Sequence, residues 1–305
     1  MIVKFPDKPC TRPKSVKCEL LYNYYITKDI FRLVFVWQEA GASLMAPKAG
    51  QFFMIKPERS SVFLGRPISL ANWQPKSEDR EFIRKKARGK STPYQRYLTG
   101  KFLESDTVTF LIAKRGKGTL ELAEMKSGEY AELTGPLGNS WIDFLPSKKD
   151  KPIAVIGGGI GIAPLNALLC ESPGHIFHFY AGFKNALKFE ERNSLLEPSL
   201  LGAEKRIIVA EKCKDKDGPR GKIPDFLDPQ NYSAVCACGP EPMLKIVAQK
   251  CKAAGVPCFV SMERRMACGV GAWLGCTVNT AKGNRRCCAD GPIFRAEDVF
   301  FEGTV

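Results

Sequence analysis

The chain has 305 residues, 44% of them hydrophobic and 10% aromatic, and a formal net charge of +14. That composition excludes a disordered polymer, and the length accommodates two domains with cores of their own. No run approaches the ~18 apolar residues that span a bilayer, and Met1–Lys14 lacks a signal-peptide core, so a cytoplasmic protein without a membrane span is expected. Twelve cysteines are many for a compartment where structural disulfides are rare. Eight of them fall between Cys236 and Cys288, which points to metal chemistry near the C-terminus more than to packing.

In chain order, residues 1–15 read as an extension, because Pro6, Pro9 and Pro13 discourage regular structure. From Val16 to about Pro146 short strand-like runs alternate with Gly and Pro, as at Ile30–Trp37, Gln51–Ile55, Val108–Ala113 and Tyr130–Leu133. This spacing predicts a small antiparallel barrel over 16–147. Residues 76–101 interrupt it with nine Lys/Arg against three Asp/Glu, and a short helix is expected near Glu81–Lys86. The basic segment suits either a solvated loop or the docking of an acidic partner. No nucleic-acid module accompanies the charge, so nucleic acid is not an expected ligand.

Two motifs sit on the barrel. Arg66-Pro67-Ile68-Ser69 opens a strand and offers a planar fork of donors to a diphosphate, with a hydroxyl close by that could reach a ring nitrogen. Gly116-Lys117-Gly118-Thr119 precedes a run, Leu120–Met125, with helical spacing, and could complete the same anion site at a helix N-terminus. Alone, the first suits a surface arginine beside a rigid turn and the second a simple cap. Gly135-Pro136-Leu137-Gly138-Asn139 then closes the barrel, ahead of a linker around Pro146–Lys151.

Residues 148–258 read as an α/β unit. Ile153–Ile156 is a buried strand, Gly157, Gly158, Gly159 and Gly161 permit a tight turn, and Ile162–Leu169 resumes as a helix-competent run. A backbone without Cβ atoms lets a nucleotide pyrophosphate approach the amides there, although an ordinary strand–helix turn looks the same. His175–Phe183 and Arg206–Glu211 add strands. Ala234–Cys238 ends in the turn Gly239-Pro240 before a helical run from Met243 to Ala254. Strands alternating with helices predict a parallel sheet whose carboxyl edge forms a ligand crevice.

Taken together, the order of these motifs and a cysteine-rich tail over 259–305 resembles the ferredoxin–NADP reductase superfamily. Within it the similarity is greatest to the electron-transfer subunits of two-subunit, NAD-dependent dihydroorotate dehydrogenases, and it covers roughly 16–294. The resemblance implies a β-barrel FAD domain, a Rossmann-like α/β nucleotide domain and a small C-terminal iron–sulfur subdomain. It implies flavin contacts at Arg66, Pro67, Ile68 and Ser69, at Leu111, Ile112 and Ala113, and at Gly118 and Thr119. The family often has arginine where Ala113 stands, so Lys114 is a candidate replacement. The resemblance further implies NAD(P)H contacts at Gly157, Gly158, Gly159 and Gly161. Cys238, Gly239 and Pro240 would lie near the nicotinamide ring, and Ser69 and Cys238 are the residues nearest the hydride transfer.

In the tail, Cys268, Cys276 and Cys288 fall on three positions of a plant-type [2Fe–2S] pattern, C-x4-C-x2-C with a later cysteine. Trp273 stands at the fourth, and Cys287 is an extra thiol. Neighbours in an extended chain point to opposite faces, so Cys287 is an awkward substitute. Three outcomes stay open: a cluster with an unusual fourth ligand (Cys287, solvent or a partner's group), a lost cluster whose loop survives as a docking surface, or a zinc site.

The expected activity is electron transfer between NAD(P)H, FAD and a [2Fe–2S] centre, to or from a partner oxidoreductase subunit. The partner is expected to be a dihydroorotate dehydrogenase catalytic subunit or an acidic electron carrier. A free-standing NAD(P)H:ferredoxin reductase and a non-catalytic flavin-binding adaptor are the alternatives. Hydride transfer between stacked rings needs positioning more than acid–base groups, consistent with only two histidines, His175 and His178. Lys184 and Lys188 leave NAD versus NADP open.

Overall fold

The structure is a computed structural model that describes residues 13–38, 44–76, 105–147, 150–171, 174–212 and 219–301. The basic insertion, apart from Lys76, and the helix expected near Glu81–Lys86 lie outside the described residues.

Six antiparallel strands, β1 (Lys14–Tyr25), β2 (Ile30–Val36), β3 (Phe52–Pro57), β4 (Arg66–Gln74), β5 (Thr107–Ala113) and β6 (Tyr130–Leu137), close into a barrel in the order β1-β2-β5-β4-β3-β6. Alternation explains their faces: in β6, Ala131, Leu133 and Leu137 are buried while Tyr130 and Glu132 are exposed. Phe53 sits at the centre, edge-on to Trp37 and Phe110 at centroid distances of 4.9 and 5.5 Å. On β2 the pattern is apolar on both faces because the outer face is also covered. The buried Arg32 donates from there to the carbonyl of Ser194, in the second half of the chain. Helix α1 (Lys117–Glu124) lies between β5 and β6 and begins inside the glycine motif itself, three residues earlier than its apolar spacing indicates.

The second body is a six-stranded sheet. Strands β7 (Ile153–Gly158), β8 (Phe177–Asn185), β9 (Lys205–Lys212), β10 (Ala234–Cys238) and β11 (Cys258–Ser261) are parallel. Helices α2 (Ala163–Glu171), α3 (Phe189–Gly202) and α4 (Glu241–Ala253) connect them. These strands read as continuous apolar runs because both faces are covered. Ile153 and Val155 pack with Leu165 and Leu168 of α2, whereas Ala154 and Ile156 share a core with Leu244 and Val247 of α4.

The tail forms a hairpin, β12 (Thr277–Thr280) with β13 (Gly283–Arg286), and then β14 (Ile293–Arg295) returns to pair antiparallel with β11. Sheet order is therefore β14-β11-β10-β7-β8-β9. The boundary expected at 258/259 falls inside β11, since three residues at the far end of the tail complete the edge of the nucleotide-type sheet. Strand order reverses on either side of β7, which places the crevice at its carboxyl end, between the turns that follow β7 and β10.

Candidate functional site

The barrel opens where two of its strands part. β4 and β5 pair from Gln74↔Thr107 to Leu70↔Phe110 and no further. Beyond that point Pro67, Ile68 and Ser69 stand on one side of a cleft of about 280 Å³, and Leu111, Ile112 and Ala113 on the other. Ile160, from the turn after β7, Pro164, from the start of α2, and Met262 and Met266, from the chain after β11, close its far wall.

At one end Arg66 lies across the start of α1. A Cβ added to Gly118 would meet Arg66 Nε at 2.7 Å, so only glycine lets the guanidinium rest there. Arg66 donates to the carbonyl of Leu64 at 2.8 Å, while its Nε is buried without a partner. An orphaned cationic donor beside the first amides of a helix fits a diphosphate. Thr119 acts on the turn itself: its Oγ1 accepts from the N–H groups of Arg115 and Gly116 at 2.8 and 3.1 Å and donates to the Gly116 carbonyl. Lys114 Nζ stands 5.0 Å over the Tyr25 ring. Lys114 does not line the cleft, whereas its neighbour Arg115 and the more distant Arg264 do.

A second cleft of about 310 Å³ is lined by Gly158, Gly159, Gly161, Gly239, Pro240 and Glu241, and shares Arg115, Ile160, Met262, Glu263 and Arg264 with the first. The four glycines at and just beyond the end of β7 have different jobs. A Cβ on Gly157 would strike Ile162 at 2.5 Å, one on Gly158 Met243 Sδ at 2.7 Å, and one on Gly161 the Cys238 carbonyl oxygen at 2.5 Å. Gly159 has φ +57° and open space around it. Gly158 and Gly161 thus let the two turns touch, Gly157 lets its own turn fold back onto the strand, and Gly159 leaves the backbone bare toward the cleft.

Cys238 is 2% exposed, lines neither cleft, and has its thiol pushed up by burial, against a hydrogen bond with Ser261. Ser69 faces the first cleft directly. Glu263, which the sequence reading passed over, stands where the two clefts meet, its carboxyl held above the usual range by burial against the pull of Arg115. Its signal was positional: it follows the carboxyl end of β11, but β11 spans only four residues. Lys184 lies exposed near the end of β8, and Lys188 precedes α3.

In the tail the sulfurs of Cys276 and Cys288 are 3.3 Å apart. The Gly271 N–H donates to Cys288 Sγ at 3.1 Å, and the Trp273 N–H to Cys268 Sγ at 3.4 Å. Burial opposes ionisation of Cys268, but the amides of Trp273, Val270, Ala272 and Gly271 hold its thiol below the ordinary value. Gly269 and Gly271, with φ of +68° and +79°, allow the loop to turn its N–H groups inward. Arg286 braces the loop by pairing with Asp290 at 3.1 Å and donating to the Gly271 carbonyl. Cys287 points elsewhere: fully buried, it donates to the Met262 carbonyl at 3.0 Å. Trp273 is 65% exposed. Among the described residues no three His, Cys, Asp or Glu gather around one point as a single metal ion requires.

A flavin-type barrel joined through a shared cleft to a nucleotide-type sheet defines a ferredoxin reductase-like protein. The fold matches that of a structure of NADH-dependent reduced ferredoxin-NADP oxidoreductase, described for flavin-based electron bifurcation, with a TM-score of 0.66 at 21% identity over 93% of this chain and 90% of that one. It also matches a ferredoxin NADP+ reductase from Neisseria gonorrhoeae with bound FAD and NADP, at a TM-score of 0.54 and 18% identity over 83% and 95%. Residues 263–300 match the model of the iron-sulfur cluster binding domain of dihydroorotate dehydrogenase B. The dihydroorotate dehydrogenase B (NAD(+)) electron transfer subunit of Clostridium perfringens (strain 13 / Type A) is 34% identical over 92% of this chain and 95% of its own. That of Clostridium acetobutylicum is 35% identical over 83% and 86%. The chain belongs to the family of dihydroorotate dehydrogenase B electron transfer subunits.

Proposed function

We propose that the chain is a flavoprotein electron-transfer subunit that takes electrons from or gives them to NAD(P)H and exchanges them with a dihydroorotate dehydrogenase-type catalytic subunit. The observation that carries this reading is the continuity of the two clefts through Arg115, Ile160, Met262, Glu263 and Arg264, which lets two cofactor rings meet without crossing solvent. FAD in the first cleft supplies the exchange between hydride transfer and single-electron steps.

The chain's own residues bind and orient. Arg66 and the α1 amides hold the diphosphate, Ile68, Leu111 and Ile112 provide apolar walls, and Ser69 offers a hydroxyl to the ring edge. The bare backbone at Gly159 receives the nicotinamide nucleotide's phosphates. Met262 and Met266 exclude water from the junction. Cys238 acts from beneath, since its backbone and that of Gly239, packed against Gly161 and Gly158, fix the floor of the second cleft.

We assign 16–147 to FAD, 148–258 with the returning β14 to the nicotinamide nucleotide, and the rest of the tail to the iron–sulfur segment. Among the described residues no helix is long and apolar enough to cross a membrane. The described cysteines other than Cys170 are reduced thiols, which suits the cytoplasm.

The test is reconstitution. The purified chain is combined with the dihydroorotate dehydrogenase catalytic subunit of the same organism, dihydroorotate and NAD+. NADH formation is expected only when both proteins are present. NADH formation by the catalytic subunit alone, or none with both, would contradict the proposed role.

A further inference from the structure

The second cleft has to receive the diphosphate of a nicotinamide dinucleotide, a dianion, so the charges on its wall matter. Among the described residues the charged side chains that line it are Arg115, Arg264, Glu241 and Glu263. Arg264 is already matched: it pairs with Glu241 at 3.1 Å, both side chains mostly covered, and donates to the Glu263 carbonyl at 2.9 Å. Without Arg115 the wall would present a neutral pair and a carboxyl, a surface that disfavours an anion.

Arg115 comes from the other body, just beyond the end of β5. Pairing continues as far as Lys114, whose N–H donates to the Asp29 carbonyl at 2.8 Å. Alternating faces then put Arg115 on the side of Ala113, a wall residue of the first cleft, while Lys114 turns away over the Tyr25 ring. The Arg115 N–H donates to Thr119 Oγ1 at 2.8 Å, which fixes where the side chain starts. Its guanidinium is exposed and makes no ion pair or hydrogen bond among the described residues. It lines both clefts, and its pull on the Glu263 carboxyl shows that its charge is felt across their junction. The flavin has a cation of its own, since Arg66 brings an orphaned donor to the start of α1.

We propose that Arg115, a residue of the flavin barrel, is the cation that binds the diphosphate of the nicotinamide dinucleotide in the second cleft, together with the bare backbone of Gly159. Its planar fork suits neighbouring phosphate oxygens, and the nucleotide is then held by both bodies at once. The contact acts on affinity and not on the hydride step. It serves NADH and NADPH alike, because the two differ at the 2′-phosphate and not at the diphosphate. This inference rests on the nicotinamide-nucleotide reading of the second cleft.

The full chain, purified with its flavin, is titrated by calorimetry with ADP-ribose, which keeps the diphosphate and lacks the redox-active ring. Arg115→Ala should weaken ADP-ribose binding about 10- to 150-fold, the span of a charged hydrogen bond. Arg115→Lys should recover part of the loss, because an ammonium cannot reproduce the fork. Lys114→Ala removes the same charge one residue away and should bind as the wild type does. Apparent dissociation constants for NADH and NADPH, read from flavin bleaching, should both rise in Arg115→Ala by the factor seen with ADP-ribose. Arg115 is exposed, so its variants are expected to fold, and flavin content and Tm are recorded for each.

Unchanged ADP-ribose affinity in Arg115→Ala would overturn the proposal, as would a wild type that binds no ADP-ribose. An equal loss in Lys114→Ala would also overturn it, by making the effect one of overall charge. A loss confined to NADPH would move Arg115 to the 2′-phosphate, and release of FAD from Arg115→Ala would move it to the flavin; either contradicts the assignment. A wild type that binds ADP-ribose through Arg115 but whose flavin neither NADH nor NADPH bleaches would leave this contact standing and contradict the electron-transfer reading instead.

Discussion

Gly161→Val is expected to leave the flavin bound and to remove most of its reduction by NAD(P)H. A Cβ at this position would lie 2.5 Å from the carbonyl oxygen of Cys238, 2.6 Å from its carbonyl carbon and 2.7 Å from Gly239 Cα. These are backbone atoms, so no side-chain rotation relieves the clash, and the turns after β7 and β10 must separate. Overpacking of this kind costs about 1–3 kcal/mol of stability. A displacement of about 1 Å between reacting groups lowers a rate about 100-fold. Flavin content near one per chain, a lowered Tm and a bleaching rate down by about that factor are the expected results. Gly159→Ala is the comparison. Its Cβ meets nothing within 4 Å, and its penalty is the left-handed backbone at φ +57°, about 1–2 kcal/mol. A wild-type bleaching rate in Gly161→Val would mean that the contact between the two turns does not position the nucleotide.

Arg66→Ala is expected to act on the other cofactor. Its guanidinium carries an orphaned buried donor at the start of α1, beside Pro67 and Thr119 of the first cleft, and is held in place by Gly118 below and Leu64 behind. Hydrogen bonds to a charged group are worth about 1.5–3 kcal/mol, so FAD affinity should fall about 10- to 150-fold. Arg66→Lys should recover only part of it, because a single ammonium cannot reproduce the fork. The measurement is FAD retained through gel filtration, followed by a titration of the apoprotein. Unchanged affinity in Arg66→Ala would remove the diphosphate from this end of the cleft.

The two bodies of the fold were legible because their strands carry unambiguous patterns. Ile153–Ile156 and Ala234–Cys238 are continuous apolar runs that only a doubly covered sheet explains, and each ends in glycine at the crevice. Arg66 and Gly118 were legible as neighbours, since a forked cation beside a bare helix start suits a diphosphate, and the structure brings the two into contact. The return of β14 to the sheet was not. Three residues carry no periodicity, and their partner β11 is only four residues long, so the pairing is decided by tertiary packing. The same shortness hid Glu263.

Spacing alone also does not choose between Lys114 and Arg115. Which of Lys114 and Arg115 enters the cleft depends on Tyr25, 89 residues earlier in the chain, capturing the lysine. Thr119 both bonds its own turn and lines the first cleft. The burial of Cys238 follows from its register beside Gly157 and Ser261, a property of the assembled sheet and not of the local segment.

The most direct measurement is an anaerobic titration of the purified chain with NADH, followed at the flavin absorption band. The account predicts about one FAD per chain and complete bleaching by the isolated subunit within seconds, with no partner added. A flavin that is bound but stays oxidised under excess NADH and excess NADPH would contradict it, and would leave the chain as an assembly subunit that kept the fold without the electron path.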